Sequence, residues 1–353
     1  MRQLEEDYRR ITVKVGASVI ASENKLDPKI LNSILSQISS LMKEGREIIL
    51  VTSGAIACGM SILGLERRPV LLSDLQAAAA VGQNQLMKIY SELFKKEDII
   101  VSQILLTWED FDSRIRYLNA KKTILTLFRY KAIPIINEND TVSTDEIRFG
   151  DNDKLSALVA NLSESDLLVI LSDIDGLYDL GEKRYIDLVE EITPAIQSLT
   201  YKVKKDVSVG GMSTKIEAAK IATDSGIPCI ITNGKKELYL LRAVKERKGT
   251  LFLPKKRRLL AKKRWIAFGS KPKGKILVDD GAKEALLKGK SLLSVGVTDV
   301  SGKFEKNDVV SILDSGFREF CRGRVRFSGD EIREIKGKKY PKEVIHRDNL
   351  VIL

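Results

Sequence analysis

The residue types best suited to chemistry in this chain are concentrated in one segment, residues 135–160, with the sequence IINENDTVSTDEIRFGDNDKLSALVA. It carries two clusters of acidic and amide side chains: Asn137, Glu138, Asn139 and Asp140, then Asp151, Asn152 and Asp153. Such groups bind an amine, a metal ion or a lysine ammonium, and they also serve as N-caps and turns. An apolar strand predicted at 132–136 precedes the first cluster, and an apolar helix predicted at 155–160 follows the second. Because ligands bind at the carboxyl ends of strands in α/β sheets, both clusters are candidate ligand sites.

The remaining composition restricts the chemistry further. The 353 residues include one histidine, His346, which excludes histidine triads and histidine zinc sites built from several imidazoles. The three cysteines are scattered, so we expect neither a disulfide framework nor a cysteine metal site, and we predict no protein metal centre. Catalysis is therefore expected to depend on Lys, Asp, Asn, Ser and backbone amides.

Charge is distributed unevenly along the chain. Residues 252–353 hold 25 Lys and Arg against 13 Asp and Glu, whereas the preceding residues hold 34 against 35. Only the C-terminal part has the electrostatics of a polyanion-binding protein. No apolar run reaches the ~20 residues of a membrane span, and the charged segment 1–10 does not resemble a signal peptide. We therefore expect a cytoplasmic protein without a membrane partner.

Three strand-to-turn transitions and one glycine-rich helix start supply further candidates. Lys14 and Gly16 end the β-rich run RITVKVG, and Ser53 and Gly54 follow the apolar strand at 48–51. Ser172 and Asp173 follow the strand at 167–171, where they cap a turn or hold a nucleotide. The segment SVGGMSTKIEAA, residues 208–219, places glycines and hydroxyl residues before a helix expected to begin near residue 214. Free amides at such a helix start, beside Lys215, favour a phosphate.

The elements that position these residues alternate between strand and helix at least six times before residue 254. This alternation predicts an α/β fold, a three-layer αβα sandwich with a mostly parallel central sheet. We predict a catalytic domain at 1–253, a basic linker at 254–273 and a small, mainly β, barrel-like domain at 274–353. Five short strands and one helix, at 282–288, are expected in the small domain.

The motifs VKVGAS, VTSGAIA, INENDTV, FGDNDKLSALVA, LSDIDGLY and GGMSTK follow one another in this order. In this combination the chain closely resembles the glutamate 5-kinases, a branch of the amino-acid kinase family, and from about residue 274 it is similar to the PUA domains of many bacterial members. The resemblance covers nearly the whole chain. It implies ATP-dependent phosphorylation of the γ-carboxylate of L-glutamate to L-glutamyl 5-phosphate, the first step of proline biosynthesis. ATP and Mg²⁺ would be required, and ADP released.

By similarity, the catalytic residues would be Lys14, Lys215 and Asp153. Lys14 would neutralise the transferred phosphoryl group, Lys215 the nucleotide phosphates, and Asp153 would hold both lysines. The residue types suit this chemistry, because an acceptor carboxylate needs positive charge and amide donors rather than a general base.

The glutamate-binding positions would be Ser53, Gly54, Asp140 and Asn152. Asp140 would bind the substrate ammonium, while Ser53 and Asn152 would donate to carboxylate oxygens. The matching nucleotide-binding positions are Lys14, Gly16, Ser172, Asp173, Ser208, Val209, Gly210, Gly211, Met212, Ser213, Thr214 and Lys215. Asp151 lies beside this set, and no role is assigned to it.

Two alternatives stay open. One is another kinase of the same fold, acting on N-acetylglutamate, carbamate, aspartate or a nucleoside monophosphate. The other is an RNA-binding protein with a regulatory kinase-like domain, suggested by the basic C-terminal part and by Arg322, Arg324 and Arg326 at alternate positions. A basic solvated face is the commoner explanation of such arginines, so we do not expect RNA to be the partner. The resemblance also implies feedback inhibition by proline and a homo-oligomer, a dimer or a tetramer.

Overall fold

The computed structural model describes residues 8–22, 25–143, 152–199, 211–255 and 261–353. Within them the chain forms two compact units, one from 8–110 and 114–255 and one from 111–113 and 261–353. In the same residues, no helix combines the length and apolarity that crossing a membrane requires.

The first unit contains an eight-stranded sheet in the described residues, with the strand order β10-β12-β11-β7-β1-β4-β6-β5. All neighbours pair in parallel except β11 and β12. The sheet strands are β1 (Arg10–Val15), β4 (Glu47–Thr52), β5 (Ile100–Leu106), β6 (Ala132–Glu138), β7 (Leu167–Ser172), β10 (Leu188–Val189), β11 (Cys229–Asn233) and β12 (Thr250–Phe252). Two short hairpins are formed by β2 (Ala21–Ser22) with β3 (Lys25–Leu26) and by β8 (Tyr178–Asp179) with β9 (Arg184–Tyr185).

Helices cover both faces of this sheet. The helices of this part of the chain are α1 (Ala17–Ile20), α2 (Pro28–Lys43), α3 (Ala55–Leu63), α4 (Leu72–Lys95), α5 (Trp108–Asp112), α6 (Arg114–Arg129), α7 (Asn152–Ser163), α8 (Pro194–Ser198), α9 (Met212–Asp224) and α10 (Tyr239–Glu246), and residues 111–112 of α5 belong to the second unit. Along β7, Leu167 and Val169 pack with α2, α4 and α10, while Leu168 and Ile170 pack with α7 and α9. Because successive strand side chains point to opposite faces, this division gives the three layers expected from the sequence.

The second unit is built on a five-stranded sheet in the described residues, ordered β14-β13-β15-β16-β17. Its elements are α11 (Ala261–Arg264), a π-helical turn (Trp265–Gly269), β13 (Gly274–Val278), α12 (Asp280–Leu287), a 3₁₀ turn (Ser294–Gly296), β14 (Val297–Gly302), β15 (Val309–Leu313), β16 (Glu319–Arg324), α13 (Gly329–Ile335), a 3₁₀ turn (Arg347–Asn349) and β17 (Leu350–Ile352). The sheet and its apolar core confirm a small, mainly β fold.

Helix α13 is absent from the sequence-based prediction of one helix in the small domain. Its start carries a capping box, in which Ser328 Oγ accepts from Glu331 N and the Glu331 carboxylate accepts from Ser328 N. The pattern Ser-x-x-Glu was therefore an available signal for this helix.

Candidate active site

The parallel strands of the first unit bring their carboxyl ends to one edge of the sheet. Strand β1 lies between β7 and β4, and the chain continues from β1 to β4 on one side and reaches β7 on the other. This is a topological switch point, where α/β sheets form a crevice for ligands. The candidate residues at the ends of β1, β4, β6 and β7 therefore share one region.

The centre of this region is a carboxylate shared by two lysines. Lys14 Nζ, from β1, contacts Asp153 Oδ1, and Lys215 Nζ, from the first turn of α9, lies 3.1 Å from Asp153 Oδ2. Thr214 Oγ1 also donates to Asp153 Oδ2 at 3.1 Å. Lys14 is 3%, Lys215 6% and Asp153 0% exposed, so these charges interact in a largely water-free environment.

Helix α7 begins earlier than the sequence indicated. The helix expected at 155–160 starts at Asn152, so Asn152 and Asp153 lie in its first turn and are buried rather than in a solvated loop. Asn152 Nδ2 donates to the backbone oxygen of Thr52 at the end of β4, and also to Asn137 Oδ1 at 2.7 Å. These contacts attach the start of α7 to two strand ends. Asp151 lies outside the described residues.

The turn between β4 and α3 supplies Ser53 and Gly54. Gly54 has φ +106°, in the left-handed region that favours glycine, and forms the N-cap of α3. Ser53 is 7% exposed, and its Oγ has no hydrogen-bond partner among the described residues. A buried hydroxyl of this kind is suited to a ligand.

Asp140 lies in the turn that follows β6 and is half-buried. Burial lowers the pKa of the Arg68 guanidinium, and the nearby Asp140 carboxylate opposes this shift. Asp140 is thus close to a cation of the protein and at the same sheet edge as Asn152.

A buried amide network joins this part of the site and was missed by sequence reasoning. Asn137, the last residue but one of β6, donates through Nδ2 to Gln83 Oε1 of α4 at 2.7 Å. Asn137 Oδ1 accepts from Asn152 Nδ2 and from the backbone N–H of Glu138 at 3.0 Å. Asn137 belonged to the first polar cluster, but nothing in the sequence indicated Gln83.

The structure describes only some of the candidate nucleotide-binding residues. Gly16 caps α1, and a side chain there would lie 3.4 Å from Lys14 Nζ, so glycine leaves room at the ammonium. Ser172, buried at the end of β7, donates to Asp173 Oδ1 at 3.2 Å, and Asp173 is exposed.

The candidate phosphate loop leads into α9, which begins at Met212, two residues before the expected start near Thr214. Gly211 forms its N-cap, and both Gly211 and Ser213 are exposed. Ser208, Val209 and Gly210 lie outside the described residues.

The end of β11 adds a charged group that the sequence analysis did not single out. Asn233 Nδ2 donates to Asp175 Oδ1 at 2.8 Å, and Lys236 Nζ donates to Asp175 Oδ2 at 2.6 Å. The Lys236 hydrogen bond lowers the pKa of Asp175. The signal available for it was the Asn-Gly-Lys-Lys sequence directly after an apolar strand.

The chain is similar to known proteins over nearly its whole length. The glutamate 5-kinase of Caldanaerobacter subterraneus subsp. tengcongensis is 46% identical over 363 residues, covering 98% of each chain. The glutamate 5-kinase of Thermoanaerobacter sp. (strain X514) is 44% identical over 363 residues, again 98% of each chain. The structure of N-acetylglutamate synthase from Neisseria gonorrhoeae, complexed with coenzyme A and N-acetyl-glutamate, matches with a TM-score of 0.52 at 13% identity, over 70% of this chain and 60% of that chain. That likeness shows the fold alone.

Two family models account for most of the sequence. The amino acid kinase family matches residues 9–233, and the PUA domain matches residues 274–346. The first match contains the shared carboxylate and both lysines, and the relatives match nearly the whole length. The chain therefore belongs to the amino acid kinase family and, within it, to the glutamate 5-kinases, with a PUA domain after its kinase domain.

Proposed function

We infer that the protein catalyses the ATP-dependent phosphorylation of the γ-carboxylate of L-glutamate, giving L-glutamyl 5-phosphate and ADP, the first step of proline biosynthesis. The observation that carries the mechanism is the buried Asp153 carboxylate shared by Lys14 and Lys215. It fixes two ammonium groups at the switch point of the sheet, which is the expected place for phosphoryl transfer between two bound substrates.

In this proposal, the two lysines stabilise negative charge on different phosphate groups. In the transition state, negative charge spreads over the transferred phosphoryl group while the acceptor is itself a carboxylate. We assign Lys14, beside Gly16, to the transferred group and Lys215, in the first turn of α9, to the nucleotide phosphates. Asp153 holds both ammonium groups in position before the substrates bind, so little reorganisation is needed during the reaction. The γ-carboxylate already lacks its proton, so no general base is required.

Mg²⁺ accompanies ATP in this reaction and neutralises charge on the phosphate oxygens. The central carboxylate, Asp153, is already bound by two lysines and a threonine, so its contacts fit the positioning of cations of the protein. The site therefore fits a metal ion carried by the nucleotide phosphates.

Glutamate is proposed to bind between the ends of β4 and β6. Asp140 is assigned to the substrate ammonium, and Ser53 and the backbone at Gly54 to carboxylate oxygens. Asn152 was expected to donate to a carboxylate, but both hydrogens of its Nδ2 are used by Thr52 and Asn137. Its remaining group is Oδ1, an acceptor, which suits the ammonium instead.

The test is ATP turnover with hydroxylamine present, which traps an acyl phosphate as a hydroxamate. We expect hydroxamate that depends on both glutamate and Mg²⁺, and little with N-acetylglutamate, whose acyl group removes the ammonium. Turnover with N-acetylglutamate but not with glutamate would retain the kinase chemistry and overturn the substrate.

Two further proposals concern regulation and oligomeric state. We propose that proline inhibits by overlapping the glutamate site, which predicts that added proline raises the KM for glutamate. We also propose a cytoplasmic homo-oligomer, a dimer or a tetramer, and light scattering that shows a monomer would contradict it.

The contacts of Arg322 in β16 and of Arg326 just after it bear on the RNA alternative. Arg322 donates to Glu319 at 2.8 Å and to the backbone oxygen of Ala267, and Arg326 is paired with Glu343. Because two of the three alternating arginines are already paired with carboxylates, a solvated face is favoured over an RNA surface; among the described residues, Arg324 Nε has no hydrogen-bond partner. Phosphorylation of glutamate is therefore the function proposed.

A further inference from the structure

Gln83 is held close to the site by an unusually tight crossing of α3 and α4. A side chain on Gly82 would overlap the backbone oxygen of Ala55, and one on Gly59 would overlap the backbone oxygen of Ala78. The two helices therefore approach as closely as two glycines allow. Since Ala55 directly follows Gly54, the residue after Gly82 is carried to the turn between β4 and α3.

The orientation of the Gln83 amide follows from backbone groups whose chemistry is unambiguous. The N–H of Glu138 can only donate, so the atom of Asn137 that it contacts is Oδ1. The other end of Asn137 is then Nδ2, a donor, and its partner on Gln83 must be Oε1. The backbone oxygen of Thr52 can only accept, which likewise fixes Nδ2 of Asn152.

This leaves the Gln83 Nε2 group as a donor that the network does not use. Gln83 is 9% exposed, and its Nε2 has no hydrogen-bond partner among the described residues. A buried donor without an acceptor is destabilising, because it has lost its hydrogen bonds to water. The Ser53 hydroxyl shares this condition. A ligand that brings acceptor oxygens to this place would remove the cost.

We propose that Gln83 is a substrate-binding residue, whose Nε2 donates to the α-carboxylate of the amino acid substrate. The inference rests on the proposed glutamate kinase activity and names a further residue that recognises the substrate. The amide network orients this donor. Because Gln83 Oε1 accepts from Asn137, Gln83 Nε2 points away from Asn137.

The position of Gln83 in the network selects the α-carboxylate over the γ-carboxylate. The reacting γ-carboxylate must approach the phosphoryl group, which we place at Lys14. The Lys14 ammonium is itself paired with Asp153. Among the described residues, the hydrogen bonds from Gln83 toward that centre run through Asn137 and then Asn152. Gln83 therefore lies on the side of the non-reacting end, where Asn152 Oδ1 offers an acceptor to the ammonium. A donor and an acceptor there match a zwitterion.

The experiment compares Gln83→Glu with wild type in the hydroxamate assay. Glutamate at this position keeps an acceptor oxygen for Asn137 but replaces the donor with a second acceptor. We expect the KM for L-glutamate to rise about 10- to 100-fold, the range for losing a hydrogen bond to a charged group, with kcat and the KM for ATP within about twofold. Gln85→Glu, two positions away on another side of α4, is the matched control and should leave all three constants unchanged.

A second probe isolates the α-carboxylate. 4-Aminobutyrate is glutamate without that group, so its inhibition of glutamate turnover should be equal in wild type and Gln83→Glu. An unchanged KM for glutamate in Gln83→Glu, or equally weakened binding of glutamate, 4-aminobutyrate and ATP, would overturn the proposal.

If Gln83→Glu does not fold, Gln83→Met provides the neutral test, with about a tenfold rise in the KM for glutamate expected. No hydroxamate from wild type with glutamate would instead overturn the proposed function, independently of Gln83.

Discussion

The two units of the protein use charge in opposite ways. The sequence that forms the first unit is close to neutral, yet it places Lys14, Lys215 and Asp153 where none is more than 6% exposed. The second unit lies in the strongly basic part of the sequence, but its ion pairs are more exposed to solvent. In one of them, the side chains of Arg326 and Glu343 are 42% and 21% exposed.

This difference shows that net charge and chemical capacity are separate properties. A charge exposed to water interacts weakly, with exposed pairs contributing about 0–1 kcal/mol, because water and salt screen it. A desolvated charge beside a substrate acts at a much lower effective dielectric constant. The proposed mechanism therefore depends on a few buried charges in the near-neutral unit.

The largest expected effect tests the buried charges directly. Lys14→Ala or Lys215→Ala should reduce kcat by about 10²–10³-fold or more, because each removes an electrostatic stabiliser of the transition state. Lys154→Ala is the matched control, since Lys154 is half-exposed and pairs with Glu217 at 2.6 Å. Near-normal turnover by Lys14→Ala, measured as hydroxamate formation, would refute its assignment.

The next effect concerns the helix crossing that carries Gln83. Gly82→Ala should destabilise the first unit by about 1–3 kcal/mol or more, since the added methyl group meets the Ala55 backbone rather than a movable side chain. In the second unit, Gly281→Ala lies in the first turn of α12, where its methyl group would come no closer than 3.4 Å to Asp279. That variant should be neutral or more stable by up to about 1 kcal/mol. Urea unfolding of both variants makes the comparison.

A smaller effect is expected from an acid titration in the second unit. The hydrogen bond from Lys283 and the backbone N–H of Arg318 lower the pKa of Asp314 from 3.8 to about 2. A lowered folded-state pKa gives stability that is present above pH 3.8 and is lost as the pH falls through about 2. Asp314→Asn should therefore lose less stability than wild type over this interval, when unfolding of the full chain is followed by circular dichroism. Parallel pH profiles for the two proteins would contradict this.

The smallest expected effect concerns the solvent-exposed ion pairs of the second unit. Arg326→Gln should change the free energy of unfolding by less than about 1 kcal/mol and leave kcat unchanged, because its ion pair is partly solvated. It should also leave binding to a structured RNA unchanged at low salt. A clear loss of salt-dependent RNA binding would restore the RNA alternative.

Local patterns were sufficient for much of the fold. The apolar run before Asn137 predicted β6, and the alternation of strands and helices predicted a covered parallel sheet, which β7 shows by dividing its side chains between two cores. The start of α7 was placed three residues late, because Asn152 and Asp153 are polar and only their tertiary partners explain their burial. Helix α13 was missed although its capping box was visible.

The sequence by itself determined which chemistry was available: lysines at strand ends, glycines at turns, and carboxylates and amides instead of histidine. The family resemblance implied that Asp153 holds both lysines, but spacing and periodicity alone could not pair them, since Lys215 and Asp153 are 62 residues apart, and the tertiary structure brings them together. Only the tertiary structure decided that Gln83, 54 residues from Asn137, presents a donor. The physical reason is that residue types and periodicity are local, whereas the desolvation and orientation of a polar group depend on distant segments that fold around it.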